Sequence, residues 1–213
     1  MDYLVQTASV RIVVQEPLTE RGRRSRERIV EAAAAAVAER GAGGCSLDQI
    51  LEAAGASKSQ LYHYFADKDD LVRAVIARRL GESVDCQGPL LSELDSFAAF
   101  RRWFEWMIDE NSARGCPGCP LGTLASELAG RNETARVDLA AGFDTLIGYV
   151  ADGLTRMQAR GDLVADADPR RLAAAVFASV QGGLLLSKTY QDPRYLRDAL
   201  DATYAHLQTF RPA

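Results

Sequence analysis

The stretch from Ser46 to Phe65 constrains the fold more than any other part of the chain, because it carries two helix-start signals within 20 residues. Ser46 followed by Gln49 fits a capping box, in which the serine hydroxyl and the glutamine amide satisfy the first free N–H groups of a helix. Ser57 followed by Gln60 repeats this pattern eleven residues later. The two boxes predict two short helices that begin close together.

A glycine separates the two predicted helices. Gly55 stands where a residue with positive φ would end the first helix and turn the chain into the second. Apolar residues recur at the three-to-four spacing of one buried helix face; these are Ile50, Leu51, Ala54, Leu61 and Phe65. Two capped helices joined by a glycine turn form a helix-turn-helix, whose second helix can enter the major groove of DNA.

The rest of the chain has the pattern of a helical globular protein. Its 213 residues are 47% hydrophobic and 25% charged, which is enough for a sizeable core. Alanines occur in runs that favour helices, and proline is scarce inside the periodic segments. We therefore predict an all-α fold of about nine helices, in which an N-terminal three-helix helix-turn-helix domain precedes a larger helical domain.

Charge is distributed unevenly along the chain, whose net charge is −4. Residues 21–80 hold 11 Lys and Arg against 8 Asp and Glu, a net charge of +3, whereas residues 81–213 hold 13 against 18, a net charge of −5. A basic cluster beside a helix-turn-helix is the charge pattern expected of a phosphate-binding surface. For any single arginine, a solvated helix face is an equally good explanation. The cluster consists of Arg21, Arg23, Arg24, Arg26 and Arg28.

Segment boundaries follow from helix-stop and helix-start signals. We predict a first long helix from about Ser25 to Arg40, and a fourth helix that ends near Gly81 or continues to about Asp85. The sequence Gln87-Gly88-Pro89 is expected to break the chain. The predicted organisation is therefore a flexible arm over residues 1–20, a helix-turn-helix DNA-binding domain over residues 21–85 and a second helical domain over residues 86–213, to which the family resemblance given below assigns ligand binding and dimerisation.

No targeting signal is evident in this sequence. No stretch approaches the roughly 20 apolar residues of a membrane span, and the N-terminus lacks the basic start and apolar core of a signal peptide. We expect a cytoplasmic protein without a membrane partner, whose four cysteines are reduced thiols.

Residues Ser25 to Leu71 resemble the DNA-binding domain of the TetR family of transcriptional regulators. The resemblance covers about a quarter of the chain. Its motifs, in order, are I-V-E-A-A from Ile29, S-L-D-Q-I from Ser46, A-A-G-A-S-K from Ala53, L-Y-H-Y-F from Leu61 and K-D-D-L from Lys68. The G-C-P-L-G-like end of the loop, Cys119 to Gly122, resembles one branch of the ligand domains of this family.

The resemblance implies a homodimer that binds a palindromic double-stranded DNA operator, most often as a repressor released by a small apolar or amphipathic molecule. By position, Lys58, Tyr62 and Lys68 would contact phosphates, while other side chains of the second helix would face bases. Ser59 stands where the family often has glycine, so base preference is not carried over from relatives. The whole implied DNA-binding set is Arg24, Ser46, Ser57, Lys58, Ser59, Gln60, Tyr62, His63 and Lys68.

Packing roles compete with these assignments. Tyr62 could instead pack on the preceding helix, and His63 could be an ordinary exposed helix residue. Leu61 and Phe65 are predicted core. A bidentate bond from Gln60 to adenine would be worth about 1–3 kcal/mol of discrimination.

The second predicted domain is assigned an effector pocket and a dimer interface. Bulky and polar groups on three helices are candidate pocket residues as a group, although each alone is better explained as core; they are Trp103, Trp106, Met107, Phe143, Tyr149, Phe177 and Gln181. The last two helices combine small and aliphatic residues that suit a four-helix bundle between two subunits. The candidate interface residues are Val176, Val180, Gly183, Leu184, Tyr204 and Leu207.

Catalysis, metals and cofactors are not predicted. His63 and His206 are far apart in sequence, and no nucleophile–base pair, phosphate loop or carboxylate pair stands out. The C-x-x-C pair of Cys116 and Cys119 leaves alternatives to ligand control: a redox-sensing regulator, a thiol oxidoreductase or a plain turn. A scaffold that kept the fold and lost DNA binding is a further alternative, but the basic cluster argues against it, as do Lys58, Tyr62 and Lys68.

Overall fold

The computed structural model describes residues 19–41 and 44–212, so the predicted arm lies almost wholly outside the described residues. Within these ranges the chain forms nine α-helices and no strands, which confirms the predicted all-α class. The described residues divide into two compact units: those up to residue 83 together with 123–142, and 84–122 together with those from residue 143 onward. The segment 123–142 thus groups with the helix-turn-helix, and the domain limits inferred from sequence stay a prediction.

The first unit contains the helix-turn-helix. Its helices are α1 (Glu20–Arg40), α2 (Leu47–Ala54), α3 (Lys58–Tyr64), the first part of α4 (Lys68–Ser92), most of α6 (Pro120–Leu128) and the start of α7 (Glu133–Ala159). α1 begins five residues earlier than predicted, because the hydroxyl of Thr19 accepts the Gly22 N–H at 3.1 Å. Gly41, with φ of 75°, ends α1, so the helix stops after Arg40 as predicted.

The core of the first unit lies where α1 packs on α2 and α3. Ile29, Leu51, Leu61, Phe65 and Ile76 are each at most 5% exposed. Removal of this apolar surface from water, at roughly 25 cal/mol per Å², supplies the main stabilisation of α2 and α3, which are too short to persist alone.

The predicted break at Gln87-Gly88-Pro89 is wrong, because α4 continues to Ser92. Proline lacks an N–H and costs one helical hydrogen bond. Leu91 and Leu94, just beyond it, are 2% and 0% exposed, and the Ser92 hydroxyl donates to the Pro89 carbonyl at 2.9 Å. Burial of the last turn therefore outweighs the local breaking signal.

The second unit is built from longer helices. It contains α5 (Phe97–Ala113), α8 (Pro169–Tyr190), α9 (Arg194–Gln208) and the remaining parts of α4, α6 and α7. Asp168 caps α8 by accepting the N–H groups of Arg170 and Arg171 at 3.0 and 3.1 Å, and Pro169 stands at the first helical position. α8 and α9 pack closely, since a Cβ on Gly183 would lie 3.0 Å from the Leu196 Cα.

α8 also passes a length-and-composition test for a membrane span, within the part of the chain that the structure describes. Part of its apolar surface is buried against α9, through Val176, Val180 and Gly183. A packed core helix meets the same test, so this feature is weak support for a membrane role.

A half-buried ion pair joins α4 to the start of α7 inside the first unit. The Arg73 Nε lies 3.6 Å from the Asp138 Oδ2, and the Asp138 side chain is only 15% exposed. Neither of these atoms has a hydrogen-bond partner. Burial raises the pKa of Asp138, and the nearby Arg73 offsets part of this increase.

Asp138→Asn is expected to raise the free energy of unfolding at pH 7 relative to the wild type. A pKa raised by folding means that the folded state prefers the protonated carboxyl. The stabilisation from that proton is complete below the ordinary Asp pKa and is lost as pH rises through the raised pKa. Urea unfolding at pH 4 and pH 7 measures the effect: the advantage of the variant should be larger at pH 7. An advantage that is equal at both pH values, or larger at pH 4, would contradict the prediction.

Candidate nucleic-acid interface and effector region

The predicted recognition helix is α3, and its outer face is exposed. Ser59, Gln60, Tyr62 and His63 are all exposed, and Tyr62 retains 60% of its accessible surface. Leu61, on the opposite face, is 1% exposed and lies in the core as predicted. The helix is therefore anchored on one side and free to meet a partner on the other.

Both capping boxes are present and fix where α2 and α3 begin. The Ser46 hydroxyl accepts the Gln49 N–H, and the Gln49 side chain accepts the Ser46 N–H, both at 3.2 Å. Ser57 and Gln60 make the same pair of bonds at 3.2 and 2.9 Å. Gly55, with φ of 56°, ends α2 between them, so the turn between the helices is set by local bonds.

Cap formation competes with base recognition at Gln60. The Gln60 Oε1 already accepts the Ser57 N–H, yet bidentate recognition of adenine needs both Oε1 and Nε2. Loss of a cap costs about 0.5–2 kcal/mol, against about 1–3 kcal/mol for one bidentate base contact. Base recognition by Gln60 thus stays a prediction, and it would cost the hydrogen bond that caps α3. Ser59 and His63 are exposed on the same helix and take no part in that capping box.

Lys58 is held by an acidic neighbour from α2. The Lys58 Nζ lies 2.9 Å from the Asp48 Oδ1, and both side chains are more than two-thirds exposed. The hydrogen bond and charge of Asp48 raise the pKa of Lys58. A DNA phosphate would therefore have to displace this carboxylate before Lys58 could bind it.

The basic cluster at the start of α1 serves several partners. Arg24 donates to Glu20 at 3.0 Å, and Arg23 also pairs with Glu20. Arg26 lies over the Phe65 ring, with its guanidinium carbon 5.1 Å from the ring centre. Exposed ion pairs of this kind are worth about 0–1 kcal/mol, so a phosphate can exchange for Glu20 at little cost. Arg24 and Lys68 are both exposed.

Three of the candidate effector residues lie in the interior of the second unit. Trp103, Met107 and Phe177 are 2%, 8% and 8% exposed. The structure brings Phe143 and Phe177 together, with ring centres 5.7 Å apart, and the Trp103 Nε1 donates to the Gln87 Oε1 at 3.0 Å. The other four candidates are half-buried: Trp106, Phe143, Tyr149 and Gln181. Their role as pocket residues stays a prediction.

The loop before α6 packs against Gln181 of α8. The Cys119 sulfur accepts hydrogen bonds from the Gly122 N–H at 3.3 Å and the Gln181 Nε2 at 3.5 Å. A Cβ on Gly122 would lie 2.7 Å from the Gln181 Oε1, so glycine makes room for this amide. Cys116 is 4% exposed and both cysteines are free thiols. A redox role for the pair stays a prediction.

The candidate dimer residues divide into buried and accessible groups. Val176, Val180 and Leu207 are 1–3% exposed and pack within their own unit. Gly183 is also buried, whereas Leu184 and Tyr204 are half-buried. Their place in an interface stays a prediction.

Sequence reasoning missed the exposed residues Leu186, Tyr190 and Tyr195 near the end of α8 and the start of α9, which form an apolar face together with Leu185. Leu185, Leu186, Tyr190 and Tyr195 are 37–61% exposed, and the rings of Tyr190 and Tyr195 stack 4.6 Å apart. The pattern L-L-L before Ser187 was the available signal, because three consecutive leucines cannot all face one core. A groove of about 350 Å³ lies between the first half of α8 and residues 199–207 of α9. Its lining includes Ala175, Ser179, Ala199, Ala202 and His206.

In the described ranges, no three His, Cys, Asp or Glu side chains lie close enough to hold a metal ion.

Two family models match this chain. Residues 29–75 match "Bacterial regulatory proteins, tetR family", and residues 97–203 match "Tetracyclin repressor-like, C-terminal domain". The second match alone spans half of the chain.

Similar proteins support the same grouping. The transcriptional regulator AcuR of Cereibacter sphaeroides is 32% identical over 70% of this chain and 70% of its own length. An uncharacterised helix-turn-helix regulator of Lactococcus lactis is 29% identical over 84% of this chain and 91% of its own length. A solved TetR-family regulator from Cytophaga hutchinsonii, 17% identical, covers 93% of this chain and 100% of its own with a TM-score of 0.80, which confirms the fold.

Proposed function

Because this chain belongs to the TetR family of bacterial transcriptional regulators, we propose that it is a homodimeric repressor, released from a palindromic operator by a small apolar or amphipathic molecule. The observation that carries the DNA-binding proposal is the outer face of α3. Four exposed side chains stand on a helix whose start is fixed by a capping box and whose inner face is buried. This arrangement presents a rigid helix to the major groove.

Phosphate binding is assigned to residues on either side of that face. Lys58, Tyr62 and Lys68 are exposed, and Arg24 precedes them on α1. Ser46 and Ser57 expose their helix N-termini, where backbone N–H groups favour anions. Ser59, Gln60 and His63 are the proposed base-contacting set.

The decisive experiment is operator binding as a function of salt. Double-stranded fragments selected from genomic DNA by the protein should bind with an affinity that falls steeply with salt, because each phosphate contact releases a counterion. Affinity that is independent of salt, or that fails to distinguish selected from random fragments, would sink the proposal. Screening small molecules for release of the selected fragment then tests the second part of the proposal, that an effector releases the protein from its operator.

Lys58→Ala and Asp48→Asn are expected to have opposite effects on operator affinity. Lys58→Ala removes one phosphate contact, so the slope of log affinity against log salt should fall by about one. Asp48→Asn removes the carboxylate that competes with phosphate for Lys58, so affinity should rise severalfold at low salt. Fluorescence anisotropy at four salt concentrations measures both. The double variant is the control: if Asp48→Asn acts through Lys58, its gain should disappear there.

Dimerisation is assigned to α8 and α9. The exposed leucines and stacked tyrosines form an apolar face continuous with the last turns of α8, and a homodimer would bury it. Two helices from each subunit would then make a four-helix bundle. A ligand in the second unit would act by binding better when the two recognition helices are badly spaced for the operator.

Leu185→Asp is expected to convert the dimer into a folded monomer. Leu185 is 60% exposed, so the change costs little within the subunit but would bury a charge in the interface. Sedimentation velocity measures the change in mass. Val137→Asp is the matched control, since Val137 is 50% exposed on α7, outside the proposed interface. A dimer that survives Leu185→Asp would contradict the assignment.

A further inference from the structure

Asn111, in the last turn of α5, has a buried side chain that the fold itself does not use. The residue is 5% exposed, and neither its Oδ1 nor its Nδ2 has a hydrogen-bond partner. Its backbone is satisfied, since the Asn111 carbonyl accepts the Cys116 N–H at 2.8 Å. Buried amides are hydrogen-bonded in nearly all proteins, so an exception calls for an explanation.

Asn111 differs from the other buried polar side chains of the protein in its hydrogen bonding. Among the described residues the buried polar set is Asn111, Ser187 and Thr203. The Ser187 hydroxyl accepts the Leu196 N–H at 3.1 Å, and the Thr203 hydroxyl donates to the Ala199 carbonyl at 2.7 Å. The first bond joins α8 to the start of α9 and the second lies within α9, whereas the amide of Asn111 makes no such bond.

Asn111 shares a helix face with two candidate pocket residues. Trp103, Met107 and Asn111 are spaced by four residues on α5, so they form one stripe along the helix. All three are buried. The Trp103 Nε1 is already bonded to Gln87, so Asn111 is the group on this stripe whose donors and acceptor remain available.

The surroundings determine what could satisfy this amide. Asn111 is uncharged, and no Lys, Arg, Asp or Glu is among the buried side chains in the ranges that the structure describes, which favours a neutral ligand over a charged one. A primary carboxamide offers a donor and an acceptor side by side. Its best complement is a neutral group with an adjacent acceptor and donor, on an otherwise apolar molecule.

We propose that Asn111 is the polar anchor of the effector site, and that the effector is a neutral, mainly apolar molecule bearing an amide-like donor–acceptor pair. The proposal rests on the proposed function, because it names the ligand class of the same regulatory site. It also explains how an apolar interior selects among molecules of similar size. A site with an orphaned polar group discriminates strongly against analogues that leave it unpaired.

The test compares three small probes of similar shape on the full chain: benzamide, benzoate and toluene. Calorimetric titration of the wild type should show benzamide binding more tightly than the other two. Asn111→Leu, which keeps the shape and removes both polar atoms, should weaken benzamide about tenfold, or about 1.4 kcal/mol, and leave toluene unchanged. The same variant without ligand should melt at a higher temperature, because it no longer buries an unpaired amide.

Thr203→Val is the matched control, since Thr203 is a buried polar residue whose hydroxyl is already bonded. It should leave benzamide affinity at the wild-type value. A lower melting temperature for Asn111→Leu would mean that the fold uses the amide, and would overturn the proposal. Benzamide that binds no better than toluene, or equally well to Asn111→Leu, would overturn it too. Operator binding by the wild-type protein without ligand is measured separately. If the wild type does not bind operator, the proposed regulatory function is refuted, while the titrations with the three probes still decide the role of Asn111.

Discussion

Phe65→Ala is expected to abolish operator binding by destabilising the whole helix-turn-helix. Phe65 is 1% exposed, ends α3 and lies under the Arg26 guanidinium. Truncation of a buried phenylalanine costs about 3–5 kcal/mol, a large part of the stability of an ordinary domain. Urea unfolding followed by circular dichroism measures the loss, and anisotropy on the selected operator measures its consequence.

Tyr62→Ala provides the matched control for Phe65→Ala. Tyr62 is an aromatic residue on the same helix but is 60% exposed, so its truncation should change stability by less than about 0.5 kcal/mol. Operator affinity should still fall, because a proposed phosphate contact is lost. A Tyr62→Ala variant that binds operator like the wild type would remove Tyr62 from the interface. A Phe65→Ala variant as stable as the wild type would contradict the packing described for α3.

Gly153→Ala is expected to destabilise the second unit by about 2–3 kcal/mol or to prevent its folding. Gly153 lies on α7, where a Cβ would stand 1.8 Å from the Leu94 carbonyl oxygen. The atom that the Cβ would meet belongs to the backbone, and Leu94 is fully buried. Relief of the clash would therefore require a backbone shift that disturbs the packing of the core. Thermal unfolding measures the effect.

Gly148→Ala is the control for Gly153→Ala on the same helix. A Cβ on Gly148 would meet nothing within 4 Å. Replacement of a helical glycine by alanine should therefore stabilise the protein by about 0.5–1 kcal/mol. If both variants were equally stable, the close approach of α7 to Leu94 would be excluded as the reason for glycine at position 153.

Local interactions explain which parts of the structure could be predicted. The capping boxes at Ser46 and Ser57 and the stops at Gly41 and Gly55 depend on groups within a few residues of each other. Such interactions are fully specified by neighbouring letters of the sequence. The limits of α2 and α3, the end of α1 and the exposed face of α3 were accordingly predictable, whereas the start of α1 and the end of α4 were not.

Pro89 shows where a local signal misleads. The dipeptide Gly88-Pro89 is a strong breaker, yet α4 continues because Leu91 and Leu94 find partners in the core. The amount of apolar surface that a segment buries depends on distant helices. The lost hydrogen bond at Pro89 is visible in the local sequence, but the stabilisation from burying Leu91 and Leu94 is not. A local rule therefore could not predict which of the two effects is larger.

The effector and dimer residues show the same limit. Val176 and Val180 have a periodicity that fits any apolar partner, and the partner they have within the subunit is α9. Leu185 looks equivalent to them in the sequence but is exposed. Asn111 was overlooked because a single polar residue in an apolar stripe is easily taken for surface.

The sequence by itself determined the all-α class, the helix-turn-helix between Ser46 and Phe65 and the family, because caps, a glycine turn and motif spacing are local. Only the tertiary structure decided that α4 passes through Pro89, that Lys58 is paired with Asp48 and that the amide of Asn111 is buried without a partner. Those facts depend on which surfaces meet, and that is settled by the burial of apolar area over the whole fold rather than by any one segment.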